Sequence, residues 1–461
     1  MVAIANRVRT SLTIAGAAGI LVAALLLHPP KSHERCCAAN EIADDGMRLE
    51  ARLTSTQVLA GAMDHDVAIT IQAPNSTGSV RPPLSLVVVI DRSGSMTDSR
   101  EAQPLSNAKA AAARLIGRLD ARDAFSIVTY SSAAETVLAM SSATDANKQA
   151  ARTAIEGITA DGATCISCGI SRAAAELART PIRNGLSRIV LISDGQANEG
   201  IFDRVDPGGL SRLAAETAAH GVSISTLGVG LDFDEVTMQQ LANVGRGRYY
   251  FVEDTRQLDA MFDRELGGLI ATAAADARLV ITDAPGTRIE QAYSYPMTRS
   301  GDHVIIPIAD LQAGETRKVV LRVAVAPVAT GPMTIARAEL DWRRVGDGAV
   351  RHATATACVE VVEDPALVAA NTDPETVEIV EKALSASALE EASEVYTSHG
   401  VDAARQVLEH RGAALRANKH LTRDVTERLD SDNNAALENL RTNSATKANK
   451  VNRVRAYQLA R

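Results

Sequence analysis

Leu84-Ser85-Leu86-Val87-Val88-Val89-Ile90-Asp91-Arg92-Ser93-Gly94-Ser95-Met96 is the stretch that decides how this chain folds. From Leu86 to Ile90 it is aliphatic on both faces of an extended backbone. That pattern belongs to a central strand of a parallel sheet, buried between two layers of helix. The apolar run stops at Asp91, and Ser93 and Ser95 follow at a spacing of two, with Gly94 between them. In open parallel sheets, ligands bind outside the carboxyl ends of the strands, near the point where the strand order reverses. One carboxylate and two hydroxyls on a single turn offer hard oxygens to one hard cation such as Mg²⁺. Gly94 lets the backbone curl tightly enough for both hydroxyls to face inward.

Working outward, apolar strands alternate with helical segments, the mark of a mainly parallel α/β sheet. Strands are expected at Leu84–Ile90, Ala124–Tyr130, Glu135–Met140, Arg188–Ile192, Val222–Val229 and Arg248–Val252. Helices are expected over Pro104–Leu119, Asp145–Gly157, Ile166–Arg179, Gly209–His220, Asp234–Ala242 and Thr255–Gly267. Two alternating segments precede this block, Met47–Ser55 and Asp66–Ala73, and Pro82-Pro83 separate them from it. Six more follow it: Arg278–Thr282, Arg288–Tyr295, His303–Ile308, Arg317–Val325, Met333–Trp342 and Ala353–Val362. Together these eight predict a β-sandwich into which the α/β unit is inserted.

From Asp373-Pro374-Glu375, an N-cap with proline at the first helical position, the chain turns helical. A helical hairpin is expected to Gly400 and then over Val401–His410, with a more polar helical remainder. After Glu438 there is no further acid, whereas Arg441, Lys447, Lys450, Arg453, Arg455 and Arg461 are basic. These bases read as a solvated helix end, or as a contact for an acidic partner or lipid headgroups. The domain plan is therefore 1–30 signal or anchor, 31–46 linker, 47–83 first sandwich strands, 84–270 α/β domain, 271–364 remaining sandwich and 365–461 helical region.

The composition excludes several classes. At 461 residues the chain is too long for one ordinary domain. A charged fraction of 23% and a hydrophobic fraction of 46% are those of a globular protein. A net charge of −8 argues against a nucleic-acid binder, and 3% aromatics leave few surfaces for stacking bases or sugars. Five cysteines are too few for a disulfide-built scaffold, and their odd number leaves at least one free or paired between chains. Arg7 and Arg9 precede the apolar run Leu12–Leu27, which His28-Pro29-Pro30 ends. This reads as an export signal or an uncleaved membrane anchor, and the positive flank puts the rest of the chain outside the cytoplasm, at the cell envelope.

Two distant loops complete the cation site. Thr164 ends the loop before the third helix, and Asp194, in Ser193-Asp194-Gly195, follows the strand Arg188–Ile192. Asp91, Ser93, Ser95, Thr164 and Asp194 converge if the sheet order is third, second, first, fourth, fifth, sixth. On these residues the chain resembles the von Willebrand factor type A (VWA) domain with its metal-ion-dependent adhesion site. Further matching stretches are Gln196-Ala197-Asn198-Glu199-Gly200, Ser225-Thr226-Leu227-Gly228-Val229-Gly230 and Tyr249-Tyr250-Phe251-Val252. The resemblance implies a doubly wound, Rossmann-like α/β fold over about residues 84–270 and a bound Mg²⁺, Ca²⁺ or Mn²⁺. Ser93, Ser95 and Thr164 would ligate directly, and Asp91 and Asp194 would ligate or hold metal-bound waters. It also implies a partner protein that offers an acidic side chain to the metal, since three of the five donors are neutral hydroxyls and leave the ion's charge incompletely met.

The chain departs from the family where Gly-Gly-Thr is typical: here stands Gly162-Ala163-Thr164, followed by Cys165-Ile166-Ser167-Cys168. Outside the cytoplasm a local disulfide is the plain expectation for this pair, with two buried thiols, a redox switch or a soft-metal site as alternatives. A bridge would stiffen the loop that carries Thr164. Cys36, Cys37 and Cys358 show no partner in the sequence.

No zinc spacing, phosphate-binding loop or dinucleotide fingerprint is present. Gly169-Ile170-Ser171-Arg172-Ala173 falls inside an expected helix and not on the turn that a nucleophile elbow requires. Asp232-Phe233-Asp234-Glu235 reads as an acidic helix cap. The expected function is therefore non-enzymatic: adhesion or complex assembly at the envelope through a metal-dependent contact. An accessory subunit of an ATPase or chelatase-type complex is the alternative.

Overall fold

The computed structural model describes residues 42–43, 45–61, 64–75, 82–99, 103–179, 185–194, 208–229, 234–252, 272–326, 329–345, 347–443 and 445–459. The apolar segment Leu12–Leu27, Cys36, Cys37, the stretch Gly195–Gly200 and the expected helix Thr255–Gly267 lie outside them. No helix among the described residues is long and apolar enough to cross a membrane.

Three strands come first: β1 (Arg48–Leu53), β2 (Gln57–Leu59) and β3 (Asp64–Gln72). The α/β unit follows as β4 (Leu84–Asp91), α1 (Pro104–Gly117), β5 (Ala124–Tyr130), β6 (Ala134–Ser142), α2 (Asp145–Glu156), α3 (Ile166–Arg179), β7 (Leu186–Ser193), α4 (Gly209–Ala219), β8 (Val222–Val229), α5 (Glu235–Val244) and β9 (Arg246–Val252). The chain then returns to strands: β10 (Thr272–Asp283), β11 (Thr287–Ala292), β12 (Thr298–Ser300), β13 (His303–Gln312), β14 (Thr316–Val325), β15 (Gly331–Arg344) and β16 (Val350–Val362). Helices close it: α6 (Pro365–Ala370), α7 (Pro374–His399), α8 (Val401–Ala417), α9 (Arg423–Thr442) and α10 (Ala445–Leu459).

The α/β sheet has the order β6-β5-β4-β7-β8-β9. This is the order on which the convergence of the five oxygens depends. All pairings are parallel except β5 with β6. Every residue of β4 is buried, and its aliphatics divide by parity. Leu86, Val88 and Ile90 pack in one core with Ala108, Ala112 and Leu115 of α1. Val87 and Val89 pack in the other with Ile166, Ile170 and Ala173 of α3. Burial on both faces is why the sequence shows a continuous apolar run there, each side chain contributing about 1.5–3 kcal/mol.

The sandwich joins the sheet β1-β3-β14-β11 to the sheet β12-β13-β10-β15-β16-β2. Its core is contiguous, and Trp342 is its largest buried side chain, with the indole N–H donating to Asp45 Oδ2 at 3.0 Å. The eight expected strands are joined by β2 and β12, three residues each and too short to show alternation. β10 starts at Thr272, before the expected Arg278. Its first half, Thr272-Ala-Ala-Ala-Asp-Ala, has no period of two, and register shifts interrupt its pairing there.

Asp373 caps α7 by accepting from the Glu375 N–H at 3.2 Å, as expected. α7 lies on the outer face of β3 and β14, with Ile379, Val380 and Ala383 against Ala68, Val320 and Tyr293. α8 continues past the expected end at His410 to Ala417. Gly412 does not stop it because that glycine is a contact point: a Cβ there would lie 2.9 Å from Asn433 Nδ2 on α9. Of the basic C-terminal residues, three have described side chains, and each lies near an acid within the fold. Arg441 pairs with Glu438 at 2.9 Å and Arg455 with Asp432 at 3.7 Å, while Arg453 lies 4.0 Å from Glu235.

Candidate metal centre

β4 ends on Asp91, and the chain turns at once into a single 3₁₀ turn, Gly94–Met96. The turn is closed locally: the Ser93 N–H donates to Asp91 Oδ1 at 2.8 Å, and the Ser93 and Ser95 hydroxyl oxygens lie 3.1 Å apart. Asp91 and Ser93 are buried, whereas Ser95 is exposed. The cluster therefore opens to solvent on the Ser95 side.

The Thr164 loop is laced to this turn through the backbone. The Gly94 N–H donates to Gly162 O at 2.9 Å, and the Asp161 N–H donates to Arg92 O at 2.7 Å. On its other side the Cys165 N–H donates to Ser131 O at 2.8 Å, and the Ala163 N–H to the Ser132 hydroxyl at 3.0 Å. Gly162 has φ of +82°, and a Cβ there would meet the Ser132 and Ser131 hydroxyls at 3.1 and 3.2 Å. The left-handed torsion there favours glycine, and the close hydroxyls leave little room for a side chain. Thr164 is buried at the end of this loop, directly before α3. Asp194 follows β7, whose Ile192 pairs with Ile90, so it emerges beside Asp91 at the same sheet edge, 8% exposed. The structure thus brings the Asp91, Ser93 and Ser95 side chains together, and it places Thr164 and Asp194 on the two loops flanking them.

Two partners of Asp91 stand outside the five expected site residues. The Tyr130 hydroxyl donates to Asp91 Oδ2 at 3.0 Å, and the Ser193 hydroxyl to the same oxygen at 2.5 Å. Tyr130 is the last residue of β5 and stands level with Asp91 in the parallel register. That register is the signal that points to it, and it becomes readable only once the strands are paired. Burial, then the Asp91 carboxylate, push the Tyr130 phenol well above its ordinary value, so it remains a donor.

Burial pushes the Asp91 carboxyl up, and the hydrogen bonds from Ser193, Ser93 and Tyr130 pull against that shift. Among the described residues no Lys or Arg pairs with this carboxylate. A fully buried charge without a counter-charge is costly. A hard divalent cation held by hydroxyl and carboxylate oxygens would meet it, so the donor set fits Mg²⁺. A second grouping, Glu339, Asp341 and His352, lies on the sandwich. Its buried member, Asp341, already accepts from Arg278 Nε at 2.9 Å, so its charge is met.

Elsewhere the expected features fall as follows. Cys165 and Cys168 form a disulfide, and Cys358 is free and buried. Asp234 caps α5, accepting from the N–H groups of Val236 and Thr237 at 3.1 Å each. Gly169 to Ala173 lie within α3, away from any strand-to-helix turn.

The family model of the von Willebrand factor type A domain matches residues 85–264. The uncharacterized protein YfbK of Escherichia coli (strain K12) is 30% identical over 218 residues, which are 47% of this chain and 36% of that protein. The chain therefore spans about a third of that relative's length. A solved von Willebrand factor type A structure from Catenulispora acidiphila superposes with a TM-score of 0.67 at 19% identity, over 90% of this chain and 95% of that one. The ArnB paralog VWA2 from Sulfolobus acidocaldarius superposes with a TM-score of 0.55 at 18% identity, over 89% and 99%. Likeness at these identities concerns the fold, and it extends beyond the α/β unit to the sandwich and helices around it. VWA domains mediate protein–protein interactions and commonly hold a divalent cation. With its doubly wound sheet and the motif match on that sheet, this chain carries a VWA domain built into a larger β and helical framework.

Proposed function

We propose that this chain is an exported or membrane-anchored protein that makes divalent-metal-dependent contacts with a partner protein, in adhesion or complex assembly. Ser93, Ser95 and Thr164 would hold Mg²⁺ directly, and Asp91 and Asp194 would ligate it or orient its waters. When bound, the ion supplies a partly neutralised positive centre that attracts an acidic side chain of the partner. The residues around it do the rest. Tyr130 and Ser193 orient the Asp91 carboxylate, the Gly94–Gly162 bond holds two loops in register, and exposed Ser95 leaves an approach from solvent. The observation that carries this reading is the buried Asp91 carboxylate, held only by hydroxyl and N–H donors and met by no Lys or Arg among the described residues.

Geometry also favours a binding role for this edge. Among the described residues, the ion pairs between the VWA sheet and the sandwich lie at the opposite end of the strands: Arg188 near the start of β7 with Asp310, Arg246 at the start of β9 with Asp276, and Arg248 with Glu315. The carboxyl ends of β4 and β7 point away from that junction. Titration calorimetry with Mg²⁺ or Mn²⁺ tests the site. Wild-type protein should bind one ion, and Asp91→Ala should lose at least tenfold in affinity. Pull-downs with and without EDTA test the partner contact: proteins retained equally in EDTA would end the metal-dependent reading.

A further inference from the structure

The Cys165–Cys168 bridge stands where two supports of the metal centre meet, and the two sulfurs are unequally reachable. Cys165 is 1% exposed, whereas Cys168 is half-buried at the first turn of α3. The sulfur of Cys165 accepts the Cys168 N–H at 3.3 Å and lies 3.5 Å from the Ser167 hydroxyl. An external thiol can therefore reach only one end of the bridge, and the other end departs into hydrogen-bond donors.

We propose that Cys165–Cys168 is a thiol-exchange site, attacked at Cys168 by a dithiol, and that cation binding at the centre is coupled to its oxidation state. The coupling rests on the metal-centre reading above; the exchange does not. In the first step a thiolate of the dithiol bonds to Cys168 Sγ, the Cys165–Cys168 bond breaks, and the electron pair leaves on Cys165 Sγ, which takes a proton. In the second, the other thiol of the reagent displaces Cys168. The products are two cysteine thiols and the cyclic disulfide of the reagent, so two electrons and two protons pass to the protein.

Coupling follows from what the bridged turn touches. Thr164 immediately precedes Cys165, whose N–H is bonded to Ser131 O, the residue after Tyr130. Gly169 immediately follows Cys168, and a Cβ there would stand 2.8 Å from Tyr130 Cδ1, so the helix backbone rests on the ring that holds Asp91. The bridge thus ties the Thr164 loop to the point where α3 bears on Tyr130. Opening it gives the loop and the first helical turn more conformations, which a cation must then restrict. The oxidised protein should bind the cation more tightly. By reciprocity, the cation must make the bridge harder to reduce by the same factor.

The test equilibrates the full-length protein in dithiothreitol redox buffers, with EDTA or with saturating Mg²⁺, and reads the thiols by alkylation and peptide mass spectrometry. In EDTA the native protein should be reduced at this bridge. With glutathione disulfide in place of dithiothreitol, the Cys165→Ser variant should form a mixed disulfide at Cys168 and release one reduced glutathione, whereas Cys168→Ser should leave Cys165 unmodified. Calorimetry should show a severalfold to tenfold weaker Mg²⁺ affinity after reduction; a tenfold change corresponds to about 30 mV in the midpoint potential. The double variant Cys165→Ser/Cys168→Ser should bind as the reduced protein does. A bridge that resists reduction until the protein unfolds overturns the exchange site. Equal midpoint potentials with and without Mg²⁺, in a protein that binds Mg²⁺, overturn the coupling. Absence of Mg²⁺ binding in both redox states would overturn the metal-centre reading and the coupling with it, and it is distinguishable because exchange at Cys168 is read in EDTA.

Discussion

Gly169 shows how a single residue can serve a site it does not touch. Its missing side chain lets α3 settle on Tyr130 and Val89, where a Cβ would meet ring and methyl carbons at 2.8–3.1 Å. Gly169→Ala should therefore cost about 1–3 kcal/mol, as overpacking does in a dense core, and should weaken cation binding by displacing Tyr130. Urea unfolding and calorimetry on the same variant check the two effects. Asp91→Asn should separate charge from shape. It keeps an oxygen acceptor for Tyr130 and Ser193 and removes the buried charge, but it turns the amide Nδ2 toward the Ser93 N–H that Asp91 Oδ1 accepts in wild type, so the metal-free protein should lose no more than about 1–2 kcal/mol, while cation affinity falls at least tenfold. A large loss of stability without metal would show that the ionised carboxylate has another counter-charge. At this scale Asp91, Ser93 and Ser95 are legible in the sequence because they lie on one turn, within five residues. Tyr130 is not legible, because its relation to Asp91 is a register between strands 39 positions apart.

Among the elements, α7 has the most diverse duties. It packs on the sandwich through Ile379 and Val380, on α8 and α10 through Leu389 and Ala392, and beside α5 through Glu390. Glu390 lies in a cleft of about 350 Å³ between α5, β11 and α7, where the Ser294 hydroxyl donates to it at 3.2 Å. Burial pushes its carboxyl up to about 7, against the weaker pull of Ser294 and Arg453. The folded protein thus holds this proton more tightly than the unfolded chain, whose Glu titrates near 4.5. The stabilisation is complete below that value and is lost as pH rises toward about 7, on the order of 3 kcal/mol in total. Glu390→Gln should remove this slope, as measured by denaturant midpoints from pH 4 to 8. α10 reaches the edge strand of the VWA sheet: the Tyr249 N–H donates to the Tyr457 hydroxyl at 3.2 Å, and the two rings meet edge to face. Elements with strong caps and clear periods, such as α5 and α7, were legible in the sequence. The extent of α8 and β10 was not, because Gly412 and the alanines of Thr272–Ala277 acquire their meaning from the neighbours they touch.

At the scale of the molecule, the VWA unit is seated on the sandwich by charge. Arg188 and Asp310 form an ion pair of 2.7 Å, with only 5% and 10% of the side chains exposed. Burial pushes the Asp310 carboxyl up, and Arg188 is the first of the groups that pull it back. Arg188→Met should leave that carboxylate buried without its nearest cation and cost about 3–5 kcal/mol. Arg188→Met combined with Asp310→Asn should recover much of the loss in a double-mutant cycle read by chemical unfolding. The sequence by itself determined the doubly wound sheet, the surrounding strands and the identity of the oxygens on the first turn. Hydrophobic period and turn chemistry are local properties, and a chain displays them before it folds. Only the tertiary structure decided that Tyr130 and Ser193 hold Asp91, that Gly94 and Gly162 lock two loops together, and that the carboxyl ends of β4 and β7 point away from the sandwich. Those facts depend on distances between residues tens or hundreds of positions apart, and packing sets such distances.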